Sequence, residues 1–161
     1  TLRTSSAASD VYKRQTVAGE WFIPHVVEPA FGIDRIIWHL LDHAYEETRV
    51  DDDMYVRMRL HPDVAPVDAA VLPLFEKEGM DELASQLHRR LCATRGVLAS
   101  YDGSGSIGRR YARADEIGIP CCLTVDHTSL EDRTVTWRER DTGEQTRMSI
   151  DEAVQRLATR S

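Results

Sequence analysis

Several groups of residues have types and spacings that could do chemistry. In Glu28-Pro29-Ala30-Phe31-Gly32-Ile33-Asp34-Arg35 a glycine precedes an arginine by three positions. Gly lets a planar ring approach the backbone, and Arg supplies a rigid guanidinium for stacking and phosphate pairing, so the segment suits an adenine nucleotide. The plain alternative is a strand-to-helix turn. Gly103-Ser104-Gly105-Ser106-Ile107-Gly108 is a formal GxGxxG between a strand and a helix, with Asp126 after the next strand. Taken alone it suggests a dinucleotide site. Against that, the leading strand is short, Arg109 and Arg110 occupy the helix's first turn, and there is no room for a second nucleotide-binding half. The same turn could meet an RNA phosphate or simply reverse the chain. His39 and His43 have metal-ligand spacing on a helix, but HLLDH lacks the glutamate of the metalloprotease motif and a third ligand. They read as partly exposed histidines. Glu131-Asp132 and Glu139/Asp141 read as solvated charges flanking a hairpin. Cys92, Cys121 and Cys122 form no zinc pattern and read as reduced thiols, so no protein-bound metal is expected.

The elements that must position these residues follow from periodicity. Trp21–Val27 reads as a buried strand. Ile33, Ile36, Ile37, Leu40, Leu41 and Ala44 recur at helical spacing and require a core to face. Glu46 to Asp53 is acidic and reads as a solvated loop, placing a domain boundary near residues 50–60. Beyond it come a strand over 68–74, a helix over 80–95 with stripe Met80, Leu83, Ala84, Leu87 and Leu91, a strand over 97–101, a helix over 106–117 and a strand over 119–125. This βαβαβ order implies a largely parallel sheet. Thr134–Arg140 alternates Val135/Trp137 against threonines and arginines, turns at Asp141-Thr142-Gly143 and returns through Met148. A final helix opens on Ser149 and Glu152 in capping-box spacing, with stripe Ile150, Ala153, Val154 and Leu157.

Composition bounds the function. The 161 residues suffice for one well-cored domain and a piece of another, not for a large enzyme. No apolar run approaches the roughly 20 residues of a membrane span, and a cytoplasmic location is expected. The net charge of −7 excludes binding of nucleic acid by bulk attraction. Eighteen of the twenty basic residues are Arg, which suits bidentate phosphate or base contacts and equally reflects a compositional habit. Residues 1–15 lack hydrophobic period; SSAASDVYKRQ resembles translated sequencing-adapter read-through, so this leader is set aside as non-native and expected to be disordered.

FIPHVVEPAFGIDRIIWHLLDHAYEE resembles motif 3 of class II aminoacyl-tRNA synthetases, in the form of the dimeric archaeal and eukaryotic-type glycyl-tRNA synthetases. VAPVDAAVLPL, DGSGSIGRRYARADEIGIPCCLTVD and TVTWRERDTGEQTRMSIDEA resemble that family's anticodon-binding domain. The resemblance covers residues 20 to 158. It implies a fragment: residues 16–55 from the antiparallel catalytic domain as a strand and helix, and 60–161 as an α/β anticodon-binding domain with a mixed, mainly parallel five-stranded sheet and about three helices.

The resemblance further implies roles. Arg35 matches the motif 3 arginine that contacts ATP, and Gly32 the glycine beneath the nucleotide. Glu28 matches a carboxylate that binds the ammonium of glycine. Ala30 departs from the serine usual at that glycine-binding position. The implied chemistry is ATP-dependent glycylation of tRNA through glycyl-adenylate, with magnesium accompanying ATP, by a homodimer whose other catalytic motifs lie upstream; the fragment alone is expected to be inactive. The partners would be glycine, ATP and glycine tRNA, whose anticodon carries two cytosines. Arg138, Glu139 and Arg140 at the hairpin end suit unstacked base edges; Arg109, Arg110 and Arg113 supply a local positive patch. The alternative is a stand-alone RNA-binding or regulatory module with this fold and no catalysis.

Overall fold

In a computed structural model of the chain, residues 15–17, 20–22, 27–50, 53–77 and 79–159 are described. They divide into two compact units, Thr1–Ile33 and Asp34–Ser161. The first contains strands β1 (Gln15–Val17) and β2 (Glu20–Phe22), paired antiparallel. The leader up to residue 14, and residues 23–26 of the expected strand, lie outside the described residues.

Helix α1 (Ile33–Ala44), which lies in the second unit from Asp34 on, runs directly into strand β3 (Tyr45–Val50). β3 pairs antiparallel with β4 (Asp53–Met58). This hairpin replaces the loop expected from the acidic stretch. Glu46 lies opposite Arg57 and accepts its guanidinium at 2.7 Å, so cross-strand pairing offsets the acidic charge that marked a loop.

The sheet domain follows with β5 (Ala69–Pro73), α2 (Met80–Ala93), β6 (Ala99–Tyr101), α3 (Ile107–Ile117), β7 (Cys121–Val125), a short α4 (His127–Asp132), β8 (Thr134–Glu139), β9 (Gln145–Ser149) and α5 (Ile150–Ala158). Strand order is β6-β5-β7-β8-β9. β5 pairs parallel with β6 and β7; β8 runs antiparallel to β7 and β9, so four of the five strands share one direction. Every residue of β5 and β7 is buried, as both faces of these central strands are covered. On one face the α2 stripe and Ile150, Ala153, Val154 and Leu157 of α5 pack with Val71, Leu123, Val135 and Trp137. On the other, Ala114 of α3 packs with Ala70, Leu72, Cys122 and Ile119. Burying each large side chain contributes on the order of 1.5–3 kcal/mol. Helix α4, absent from the sequence reading, starts on a capping box in which Asp126 and Ser129 exchange side-chain to backbone hydrogen bonds.

The α1 stripe behaves otherwise. Ile33 is 70% exposed and Ile36, Ile37, Leu40 and Leu41 are all more than 40% exposed; only Ala44 is buried. The core this face was expected to meet is not among the described residues.

Candidate nucleic-acid interface

The candidate residues fall at two ends of the sheet. At the amino end of β7, where β8 leaves the sheet, the arginines of the hairpin are engaged inside the protein. Arg138 makes a bidentate pair with Asp115 of α3 at 3.0 and 2.9 Å, and its guanidinium lies 4.7 Å from the Tyr111 ring centroid. Asp115 is fully buried and also accepts the Tyr55 hydroxyl. Arg140, 3% exposed, donates to the carbonyls of Gly118 and Leu60 at 2.9 and 2.8 Å and pairs with Asp141. Glu139 turns to the opposite face, accepting the Trp137 indole N–H at 2.7 Å and Arg156 at 3.1 Å. Burial, then the neighbouring Asp115 charge, pushes the Cys122 thiol up to about 12, so it stays protonated and unreactive.

At the carboxyl end of the parallel strands, the loop after β5 carries Phe75, 55% exposed, with the His127 ring at 6.2 Å. Glu76 is exposed and sits against Gly103, where a Cβ would run into its carboxylate. The GxGxxG loop is held by its own helix. Arg110, buried, donates to the carbonyls of Gly105 and Pro73, fastening the Gly loop to the end of β5. Arg113 reaches back to Asp102 and to the Ser104 carbonyl. Burial raises the Asp102 carboxyl, but hydrogen bonds from Ser104 and Arg113 outweigh it and hold the group below its ordinary value. Arg109 and Lys77 remain exposed. Asp126 faces no ribose position: it caps α4 and takes both nitrogens of Arg147 at 2.7 and 2.9 Å, which bring its carboxyl down to about 2. The loop amides therefore lack the accompanying acid of a dinucleotide site. Ligands of parallel sheets generally gather at this end, and an exposed aromatic beside a carboxylate and basic side chains suits unstacked bases.

Residues 68–160 match the family described as the anticodon binding domain. The chain belongs to that family. Glycine–tRNA ligases from Methanocaldococcus jannaschii and Methanothrix thermoacetophila are each 50% identical to it, over 91% and 87% of its residues. The chain spans about a quarter of the length of these relatives: 25% and 24%. Among solved structures, the RNA-binding domain of threonyl-tRNA synthetase from Cryptosporidium parvum superposes with TM-score 0.53 at 27% identity, covering 58% of this chain and 23% of that one.

For an anticodon-binding domain the site residues read from sequence are dispersed. Arg138 and Arg140 lie at the opposite end of the sheet from Arg109 and Arg110, and Glu139 does not share a rim with Arg138. The local positive patch expected from Arg109, Arg110 and Arg113 is corrected to one exposed arginine: Arg110 is buried against carbonyls, and Arg113 pairs with Asp102. Partner geometry explains this, since five-donor guanidinium groups find carbonyl and carboxylate acceptors wherever the chain brings them close. Phe75, Glu76 and His127 were missed, because a single aromatic after a strand has no periodic signature. Glu28, Ala30, Gly32 and Arg35 are exposed, Arg35 in the first turn of α1. His39 and His43 are exposed and stacked edge-on, and no group of three or more metal-ligand side chains occurs among the described residues. No helix among them is long and apolar enough to cross a membrane.

Proposed function

We propose that this chain is the C-terminal part of a glycine–tRNA ligase, in which the sheet domain reads the anticodon of glycine tRNA. The observation that carries the reading is 50% identity to glycine–tRNA ligases over nine-tenths of the chain. In the whole enzyme, glycine and ATP form glycyl-adenylate and pyrophosphate, and the glycyl group then passes to the tRNA 3′ end. Neither step needs a covalent enzyme intermediate, so positioning and charge stabilisation carry the chemistry. Residues 16–55 belong to the catalytic domain on this reading: Glu28 receives the ammonium of glycine, Gly32 and Arg35 receive ATP with its magnesium, and Ala30 removes one amino-acid contact. The exposed α1 stripe, four isoleucines and leucines more than 40% exposed after Ile33, suits a helix that packs on catalytic-domain segments upstream. The enzyme acts in the cytoplasm as a homodimer.

The anticodon surface we propose is the carboxyl end of the sheet. Phe75 offers a face for an unstacked base, Glu76 an acceptor for a cytosine amino group, and Arg109 and Lys77 charge for phosphates. The net charge of residues 60–161 is −4, from thirteen basic and seventeen acidic side chains, so local contacts must dominate over bulk attraction. The test is glycine-dependent ATP–pyrophosphate exchange and tRNA charging by the full-length protein. Arg35→Ala should lower exchange by about thirtyfold to a thousandfold, for a contact of about 2–4 kcal/mol, and leave tRNA binding intact. Exchange driven equally by other amino acids would overturn the assignment.

A further inference from the structure

Segment 54–60, which returns the β3–β4 hairpin to the sheet domain, is fastened there by polar contacts as well as by the buried Leu60. Tyr55 on β4 donates its hydroxyl to the fully buried Asp115, the same carboxylate that holds Arg138 in a bidentate pair. Arg57, two residues on, donates to the carbonyls of Arg140 and Asp141 at 3.3 and 3.2 Å, and Arg59 pairs with Asp141 at 3.6 Å. Arg140 returns a bond to Leu60. The fit leaves no slack: Gly118, the left-handed cap of α3 at φ 87°, could not carry a Cβ without meeting Met58 Cβ and its carbonyl at 3.1 Å. At its other end the hairpin continues α1 without an intervening residue, and the Arg59 amide donates to the Ala44 carbonyl at 2.7 Å. The arginines that resemble base readers are thus the receiving half of a joint.

We infer that Tyr55, Asp115, Arg57 and Arg138 are positioning residues: they lock the hairpin, and with it helix α1, to the anticodon-binding domain, so that one tRNA is held at both ends at once. The inference rests on the proposed function, in which α1 carries the ATP-contacting Arg35. The physical reason is effective concentration. A tRNA bound through its anticodon presents its 3′ end to the active site productively only if the two domains keep a fixed relation, and a loosened joint dilutes that second contact.

The experiment uses the full-length ligase with Tyr55→Phe, and separately Arg57→Gln, each removing hydrogen bonds at the joint without opening a core cavity. Three quantities are read: glycine-dependent ATP–pyrophosphate exchange, equilibrium binding of an isolated anticodon stem-loop, and kcat/KM for charging intact tRNA. We expect charging to fall about tenfold or more, within the range a misplacement of reacting groups produces, with exchange and stem-loop binding within about twofold of wild type. Charging at the wild-type level in both variants would overturn the inference. So would stem-loop binding lost in parallel with charging, since the residues would then only stabilise the domain. A wild-type enzyme without glycine-dependent exchange would instead sink the proposed function on which the inference stands.

Discussion

The two ends of the sheet use the same residue type in opposite ways. At the amino end, Arg138 and Arg140 are buried or nearly so, and they donate to the Asp115 carboxylate and to the carbonyls of Gly118 and Leu60. At the carboxyl end, Arg110 and Arg113 are likewise turned inward to hold the Gly loop, while Phe75, Glu76, Lys77 and Arg109 face solvent. An arginine-rich segment is therefore no guide to an RNA surface by itself. What distinguishes a contact residue from a structural one is whether its donors already have partners, and that depends on tertiary approach.

The largest effect we expect falls at the amino end. Asp115→Ala leaves the Arg138 guanidinium without its counter-charge in a site where its side chain is only 13% exposed. That should cost about 3–5 kcal/mol, read as a lowered urea midpoint at constant slope. A change under about 1 kcal/mol, the scale of surface ion pairs, would show that this end is no more internally committed than the other.

At the carboxyl end the signature inverts, with stability spared and RNA binding lost. Phe75→Ala should weaken anticodon stem-loop binding by about 1–3 kcal/mol, the scale of one lost base–aromatic stack, and alter folding stability by less than about 0.5 kcal/mol. Glu139→Gln should leave discrimination between glycine tRNA and an anticodon-substituted tRNA unchanged; narrowed discrimination would return the reading surface to the hairpin. Arg109→Ala should weaken both tRNAs alike and lower the slope of log affinity against log salt by about one, as for a single phosphate contact.

The smallest effect concerns Asp126, whose carboxyl Arg147 holds down at about 2. A depressed carboxylate contributes stability that is present above its ordinary value of 3.8 and lost as pH falls through the folded value near 2. Arg147→Ala should move the Asp126 titration back toward the ordinary carboxylate range by NMR and remove that component of acid sensitivity. An unmoved titration would assign the shift to the α4 cap alone.

Much of the fold was legible because it is periodic. The stripe Met80, Leu83, Ala84, Leu87 and Leu91 is buried residue for residue, and the β8 alternation puts Val135 and Trp137 in the core. The resemblance carried the mixed, mainly parallel five-stranded sheet and the family because its motifs are contiguous. What stayed hidden lacks local signal. The β3–β4 hairpin reads as a charged loop because its stabilising partners, Arg57 against Glu46 and Tyr55 against Asp115, are distant in sequence or across a turn. Helix α4 is six residues long with no apolar period, although Asp126 with Ser129 was a start signal available to be read. The Arg138-Glu139-Arg140 triplet suited base edges by donor and acceptor type alone; the acceptors that occupy it, a carboxylate on α3 and carbonyls of Gly118 and Leu60, come from elsewhere in the chain.

The most direct measurement is an NMR titration of this chain with an anticodon stem-loop of glycine tRNA. We expect amide shifts to concentrate at Phe75–Lys77, Ser104–Arg109 and His127, to weaken when the two anticodon cytosines are replaced, and to leave residues 138–145 still. Shifts centred on Arg138–Gln145, or a response indifferent to the cytosines, would contradict the assignment of anticodon reading to the carboxyl end of the sheet.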